Sequence, residues 1–207
     1  MNILIVNSSA QGEASVSSAL ARTFVEQIQA VDAGARVTVR DVGSAPVPHL
    51  VADTVAGIRG EPQSEAELRT LALSDELIAE LQEADLVVIG APMYNFAIPS
   101  TLKAWFDHVL RARVTFRYSE AGFEGLLKDK KAVVIETRAG IYSEGAGVAQ
   151  DHQEAHLRTL LGFMGITDVT FVRVEGTAFG PEAAEQAVTN ARTQLRAFAE
   201  QDLALAA

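Results

Sequence analysis

Cysteine is absent from the 207 residues. That excludes thiol nucleophiles, disulfides and thiolate-held metals. Positive charge is scarce: 17 Lys and Arg stand against 27 Asp and Glu, leaving a net charge of −10. A surface for nucleic acid or anionic membrane needs clustered Lys and Arg to meet phosphates, so neither partner is expected. No apolar run approaches the roughly 20 residues that span a bilayer. The N-terminus opens on strand-forming residues instead of a basic segment with a cleavage site, and a cytoplasmic protein is expected. No Walker lysine and no Gly-x-Gly-x-x-Gly follow the first strand-like run, which weakens readings as an NTPase or a Rossmann dehydrogenase. His49, His108, His152 and His156 form no metal set; the last two lie one helical turn apart but lack a third ligand. No Ser-His-Asp set stands out, and there is no internal repeat, low-complexity tract or linker. A chain of this length suits one α/β domain over residues 1–207.

What is present is organised around residues 85–107. After Asp85 comes Leu86-Val87-Val88-Ile89, a short β-branched run of the kind buried on both faces of a parallel sheet. Gly90, Ala91 and Pro92 are expected to end it. Pro99 fits the first turn of a helix, and Leu102, Phe106, Val109 and Leu110 recur at helical spacing. Between strand and helix stand Met93, Tyr94, Asn95 and Phe96. Loops at the carboxyl ends of parallel strands are where open α/β sheets place ligands. Four bulky residues there suit something flat and partly apolar; the same residues also suit a connector whose aromatics fill a local core.

The remaining chain alternates strands and helices. Strands are expected at 2–7, 36–41, 131–137 and 167–175, the second with one exposed face, where Val37 and Val39 point the same way, a pattern of alternation expected at the sheet edge. Ser15 is a natural N-cap for a helix carrying Leu20, Phe24, Val25 and Ile28. A short helix is expected within 49–58, and Ser64 with Glu67 forms a capping-box pair for a helix reaching about Gln82. Residues 114–118 read as extended and 122–125 as a turn, inside an excursion at 111–130 too long for a plain connector. Further helices are expected at 151–164 and 182–201. This pattern predicts a doubly wound, five-stranded parallel sheet of order 2-1-3-4-5 with helices on both faces.

In that order the loops after strands one, three and four converge. The first offers Ser9, Ser15 and Ser17 with the free N–H groups of a helix start, which favour phosphate; the same serines also fit a simple cap. No Lys or Arg precedes Arg22, so such a site relies on neutral donors. The fourth offers Thr137, Arg138, Ala139 and Gly140, whose backbone donors can close on a ligand edge, or whose glycine can serve a plain turn.

Pro92-Met93-Tyr94-Asn95-Phe96, followed by Pro99 and Leu102-Lys103, resembles the flavin loop of the FMN-dependent NADH:quinone oxidoreductases, the azoreductase family of flavodoxin-like fold, and the resemblance extends over nearly the whole chain. It implies FMN as cofactor, NADH as donor, quinones and azo compounds as acceptors, and a homodimer. It implies a phosphate loop at Ser9, Ser15, Val16 and Ser17, a ring loop at Pro92, Met93, Tyr94, Asn95 and Phe96, and a third loop at Thr137, Arg138, Ala139 and Gly140. Tyr118, Phe123 and Phe163 resemble family positions lining substrate space, partly across the dimer interface, and Arg59 a position near the nicotinamide nucleotide. The sequence departs from the family's Ser-Arg-Gly-Gly twice, with Thr137 and Ala139; a position needing φ > 0 disfavours Ala. Val16 stands where relatives often carry a polar residue, which leaves its backbone amide for the phosphate. The flavin carries the chemistry, so no catalytic side chain is expected. An electron carrier with a protein partner is the alternative, but it has little use for the excursion at 111–130. A phosphoacceptor domain needs acids after the first strand, where Asn7-Ser8-Ser9 stand.

Overall fold

The structure is a computed structural model describing residues 1–120 and 122–204. In chain order its elements are β1 (Asn2–Asn7), α1 (Val16–Val31), β2 (Arg36–Asp41), α2 (Ala56–Arg59), α3 (Glu65–Glu83), β3 (Leu86–Pro92) and α4 (Ser100–Val109). Then follow β4 (Phe116–Ser119), β5 (Gly122–Gly125), β6 (Lys131–Thr137), α5 (Glu154–Met164), β7 (Asp168–Val174) and α6 (Pro181–Ala204).

Five strands form one parallel sheet in the order β2-β1-β3-β6-β7. With the β4–β5 hairpin set aside, this is the expected 2-1-3-4-5 order. Alternation along each strand divides the core into two layers. Leu4, Val87, Ile89 and Val134 face one side, under Leu77, Trp105 and Leu161 of α3, α4 and α5. Ile3, Ile5, Val88 and Ile135 face the other, under Phe24 and Leu195 of α1 and α6. Each large side chain removed from water this completely contributes roughly 2–3 kcal/mol of transfer free energy. The three interior strands, β1, β3 and β6, are therefore apolar on both faces, and β3 is buried throughout.

Local signals placed several element ends. Ser15 caps α1, its side chain accepting from Ser18 N. Ser64 and Glu67 form both bonds of the capping box on α3. β2 is an edge strand, as its alternation predicts, but Val39 stays 58% exposed although it shares a face with half-buried Val37. Arg40, paired with Glu76 and Glu80, ties this edge to α3.

Other ends differ from expectation. β3 continues through Gly90 and Ala91 to Pro92, because β6 supplies pairing as far as Thr137. A proline is tolerated at a strand end, where its missing N–H breaks no ladder. Pro99 is the N-cap of α4 in extended geometry (φ −55°, ψ 143°), one residue before the first helical position. Residues 122–125 form a strand, not a turn: β5 pairs antiparallel with β4. Gly125 allows that hairpin to dock, since a Cβ there would lie 2.1 Å from Gly165 N just past α5. His152 precedes α5, so it and His156 do not share a turn of one helix. Among the described residues, no helix is long and apolar enough to cross a membrane.

Candidate functional site

β1, β3 and β6 are neighbours, so the loops at their carboxyl ends lie side by side. The first loop leaves β1 and is braced from both flanks. Ser8 donates its hydroxyl (2.7 Å) and its amide (3.2 Å) to Gly90 O. On the other side the chain after β2 presses on Ser9: a Cβ on Gly43 would lie 2.1 Å from the Ser9 carbonyl oxygen. α1 then begins at Ser15. Ser18 N is taken by Ser15 Oγ and Ala19 N by Ser15 O. The amides of Val16 and Ser17 find no acceptor among the described residues. The buried hydroxyls of Ser15 and Ser17 pair at 3.2 Å beside them. Val16 turns its side chain outward, 37% exposed, so its amide is what it offers. Two free amides and paired hydroxyls at the positive end of a sixteen-residue helix suit a phosphate.

The third-strand loop is a tight turn closed by Tyr94 N on Ala97 O (3.0 Å) and Ala97 N on Tyr94 O (3.2 Å). Its central residues have positive φ, 49° at Asn95 and 72° at Phe96. Asparagine tolerates this region, whereas phenylalanine adopts it at a cost of roughly 1–3 kcal/mol. The surroundings enforce it: Phe96 O accepts from His152 N at 3.1 Å, and its ring meets Tyr142 edge-on at 6.2 Å. The strain holds Phe96 44% exposed at the mouth of the loop. Tyr94 reaches back to the first loop, its hydroxyl accepting from Ala10 N at 3.1 Å and lying 3.4 Å from Ser9 Oγ. Pro92 is buried in β3, and Met93 N donates to Thr137 O at 2.9 Å, joining this loop to the next.

The loop after β6 turns its carbonyls one way. Those of Arg138, Ala139 and Gly140 accept from the amides of Thr177, Ala178 and Gly176. The amides of Ala139 and Gly140 are left without an acceptor among the described residues, and Ala139 is exposed. Ala139 is not among the residues with positive φ, so Ala in place of Gly does not strain this loop.

The side chain of Arg138 turns inward, leaving the loop's backbone as what it offers the cleft. Its guanidinium is fully buried and meets Glu136 at 2.7 Å, Glu175 at 3.0 Å and Asp151 at 3.1 Å. Its Nε donates to Gln153 Oε1, and Gln153 Nε2 continues to Ala91 O. Only the backbone of Arg138 is available to the cleft. Three carboxylates around one guanidinium would leave two negative charges uncompensated, which a buried site does not favour. The deepest one yields: burial pushes the Glu136 carboxyl up to about 8, Arg138 pulling against that and Glu154 and Asp151 adding to it. Its Oε1 has no hydrogen-bond partner among the described residues. Burial also opposes the charge on Glu175, but the Ser143 hydroxyl, the Tyr142 amide and Arg138 together hold its carboxyl below the ordinary value.

Glu136 therefore makes stability depend on pH. Its folded value of about 8 lies above the ordinary 4.5. Its contribution is fully favourable below pH 4.5 and is lost as pH rises to about 8, because only the unfolded chain ionises in that window. Glu136→Gln removes the titration. Relative to wild type, the variant is expected to gain roughly 5 kcal/mol between those limits, measured by urea unfolding at several pH values. Parallel profiles for the two proteins would show that Glu136 is not held neutral.

The remaining predicted residues lie apart. Phe163 of α5 stacks on Phe123 (4.6 Å, 19° between planes) and contacts Phe116 at 4.6 Å and Tyr118 at 6.3 Å. Tyr118 and Phe123 remain 73% and 57% exposed, and among the described residues no ring contact joins this cluster to the three loops. Arg59 is exposed at the end of α2, with no ion pair among the described residues. Glu175, Gln153, Tyr142 and Gly43 escaped the sequence reading. A cavity of about 430 Å³ lies at the opposite, amino ends of the strands, around Asn2, Arg36, Glu80 and Glu83, away from all three loops.

The chain is similar to known proteins. A family model described as flavodoxin-like fold matches residues 1–199. A protein of Hyphomonas neptunium named FMN-dependent NADH:quinone oxidoreductase is 54% identical over 199 residues, 96% of each chain. A Bacillus anthracis azoreductase structure superposes with a TM-score of 0.88 at 28% identity, covering 97% of this chain and 99% of that one. An FMN-dependent NADH-azoreductase of Bacillus anthracis, crystallised in complex with FMN, gives 0.87 at 26% identity, covering 97% and 98%. The chain belongs to the family of FMN-dependent NADH:quinone oxidoreductases, on the flavodoxin-like fold.

Proposed function

We infer that this protein is an FMN-dependent oxidoreductase that carries two electrons from NADH to quinones and to azo compounds, acting in the cytoplasm as one unit over residues 1–207. The observation that supports this most is the pairing of free backbone donors, at Val16 and Ser17 and at Ala139 and Gly140, on either side of the strained, exposed Phe96. FMN fits these groups. Val16, Ser17 and the Ser15 hydroxyl would hold its phosphate. Met93, Tyr94, Asn95 and Phe96 would lie along its ring, and Ala139 and Gly140 would donate to the ring edge. Bound FMN supplies the chemistry, taking a hydride from NADH and releasing two electrons to the acceptor. One NADH and one proton convert a quinone to its hydroquinone, and two of each cleave an azo bond to two amines. Loops lining one side of the ring would leave the other side for donor and acceptor in turn.

Turn-taking predicts ping-pong kinetics. Double-reciprocal plots at several acceptor concentrations should be parallel, with excess acceptor competing against NADH. The purified protein should release FMN on heating. Intersecting lines would exclude the shared face, and recovery of FAD alone would exclude the cofactor. A bare electron carrier would bind flavin but not turn over NADH with a quinone.

The aromatic cluster of Tyr118, Phe123 and Phe163 supports a homodimer in which a second copy's hairpin lines the acceptor space. Arg59 would assist the nucleotide. Sedimentation should show a dimer at micromolar concentration; a fully active monomer would remove this part of the reading.

A further inference from the structure

Glu175 lies outside the three loops, yet the loop after β6 depends on it. Its Oε1 accepts from the amides of Tyr142 (2.9 Å) and Ser143 (3.1 Å) and from Arg138 Nη1 (3.0 Å). Its Oε2 accepts from the Ser143 hydroxyl. The residues directly after Glu175 take the loop's other polar atoms: Gly176, Thr177 and Ala178 donate their amides to the carbonyls of Gly140, Arg138 and Ala139. A loop whose carbonyls all face one neighbour must turn its amides elsewhere. Those of Ala139 and Gly140 have no acceptor among the described residues.

We propose that Glu175 is a positioning residue for flavin reduction: by holding the amides of Tyr142 and Ser143 and the guanidinium of Arg138, it aligns the amides of Ala139 and Gly140 with the ring edge. The proposal rests on the FMN reading above. Donors already aligned at the place where negative charge accumulates favour the reduced cofactor, because nothing has to reorganise when the charge arrives. The carboxylate's own charge acts in the opposite sense, since a nearby negative charge disfavours an anionic ring. Reach and charge therefore predict opposite effects, and two substitutions separate them. Glu175→Asp keeps the charge but withdraws the oxygens by one methylene. Glu175→Gln keeps the reach and an acceptor oxygen but removes the charge.

The measurement is the affinity of each apoprotein for oxidised and for reduced FMN, titrated without oxygen. Glu175→Asp is expected to lower the reduced-to-oxidised affinity ratio about tenfold. That corresponds to a two-electron midpoint about 30 mV more negative. Glu175→Gln should leave the ratio within about threefold of wild type or raise it. Hydrogen exchange at the Tyr142 and Ser143 amides should quicken in Glu175→Asp and hold in Glu175→Gln, a readout independent of flavin. The reverse pattern, with Gln lowering the ratio and Asp leaving it unmoved, overturns the proposal, as does no change in either. If wild type fails to bind FMN, the functional reading falls and this proposal with it. Normal wild-type binding with unmoved variants counts against Glu175 alone.

Discussion

Arg138→Met is expected to lower the melting temperature by roughly 10 °C. The guanidinium is completely buried and serves Glu136, Asp151, Glu175 and Gln153 together. Methionine fills much of the volume but leaves Asp151 and Glu175 facing each other without a cation. Removing one partner from a buried ionic cluster costs about 3–5 kcal/mol. In a domain of this size each kcal/mol moves the midpoint by about 2–4 °C. Glu136 softens the loss because it is already neutral at pH 7. Arg138→Lys should fall between the two, since one ammonium cannot span the fork that four partners require. The loop carrying Ala139 and Gly140 loses its anchor in the same step, so FMN affinity should drop with stability. A melting temperature unchanged in Arg138→Met would show that the cluster supports neither the fold nor the loop.

Ser17→Asp is expected to abolish FMN binding while leaving the fold intact. Ser17 is buried beside Ser15 at the start of α1, next to the amides proposed to hold the phosphate. A carboxylate about 4 Å from a phosphate charge costs on the order of 4 kcal/mol at the effective dielectric of such sites, or about a thousandfold in affinity. The helix itself should accept the change, because an acid in the first turn is favoured by the helix dipole. Circular dichroism should match wild type while the purified protein is colourless. A folded Ser17→Asp protein with full flavin content would rule out this phosphate site. Ser17→Ala is the milder control; it removes one hydroxyl and keeps both free amides.

Much of this could be read residue by residue because the causes are local. The run from Leu86 to Ile89 can be satisfied only by burial on both faces, and it became the central strand. Ser15 accepts from Ser18 N, and Ser64 exchanges bonds with Glu67, within one turn of each helix. Such caps depend on atoms three residues away and tolerate no other partner geometry. The alternation of strands with helices then limits the topology, since parallel neighbours require crossovers of one hand.

The elements that escaped have distant causes. Residues 122–125 begin and end with glycine and carry no strand signal of their own; Phe116, Arg117, Tyr118 and Ser119 supply the pairing. Arg138 sits in a stretch that resembles a ligand loop, but three acids from separate segments draw its side chain inward. Glu175 meets partners 32–37 positions earlier in the chain, a distance no periodicity registers. Phe96 holds its positive φ because Tyr142 and His152 close on it from beyond β6. The sequence by itself determined which segments form the parallel sheet and its main helices, their order in the sheet, and which three loops come together at its carboxyl end, because burial, periodicity and capping act over a few residues. Only the tertiary structure decided which way those loops turn their amides, and which buried charges hold them, because each carbonyl and carboxylate is oriented by a partner that folding alone brings near.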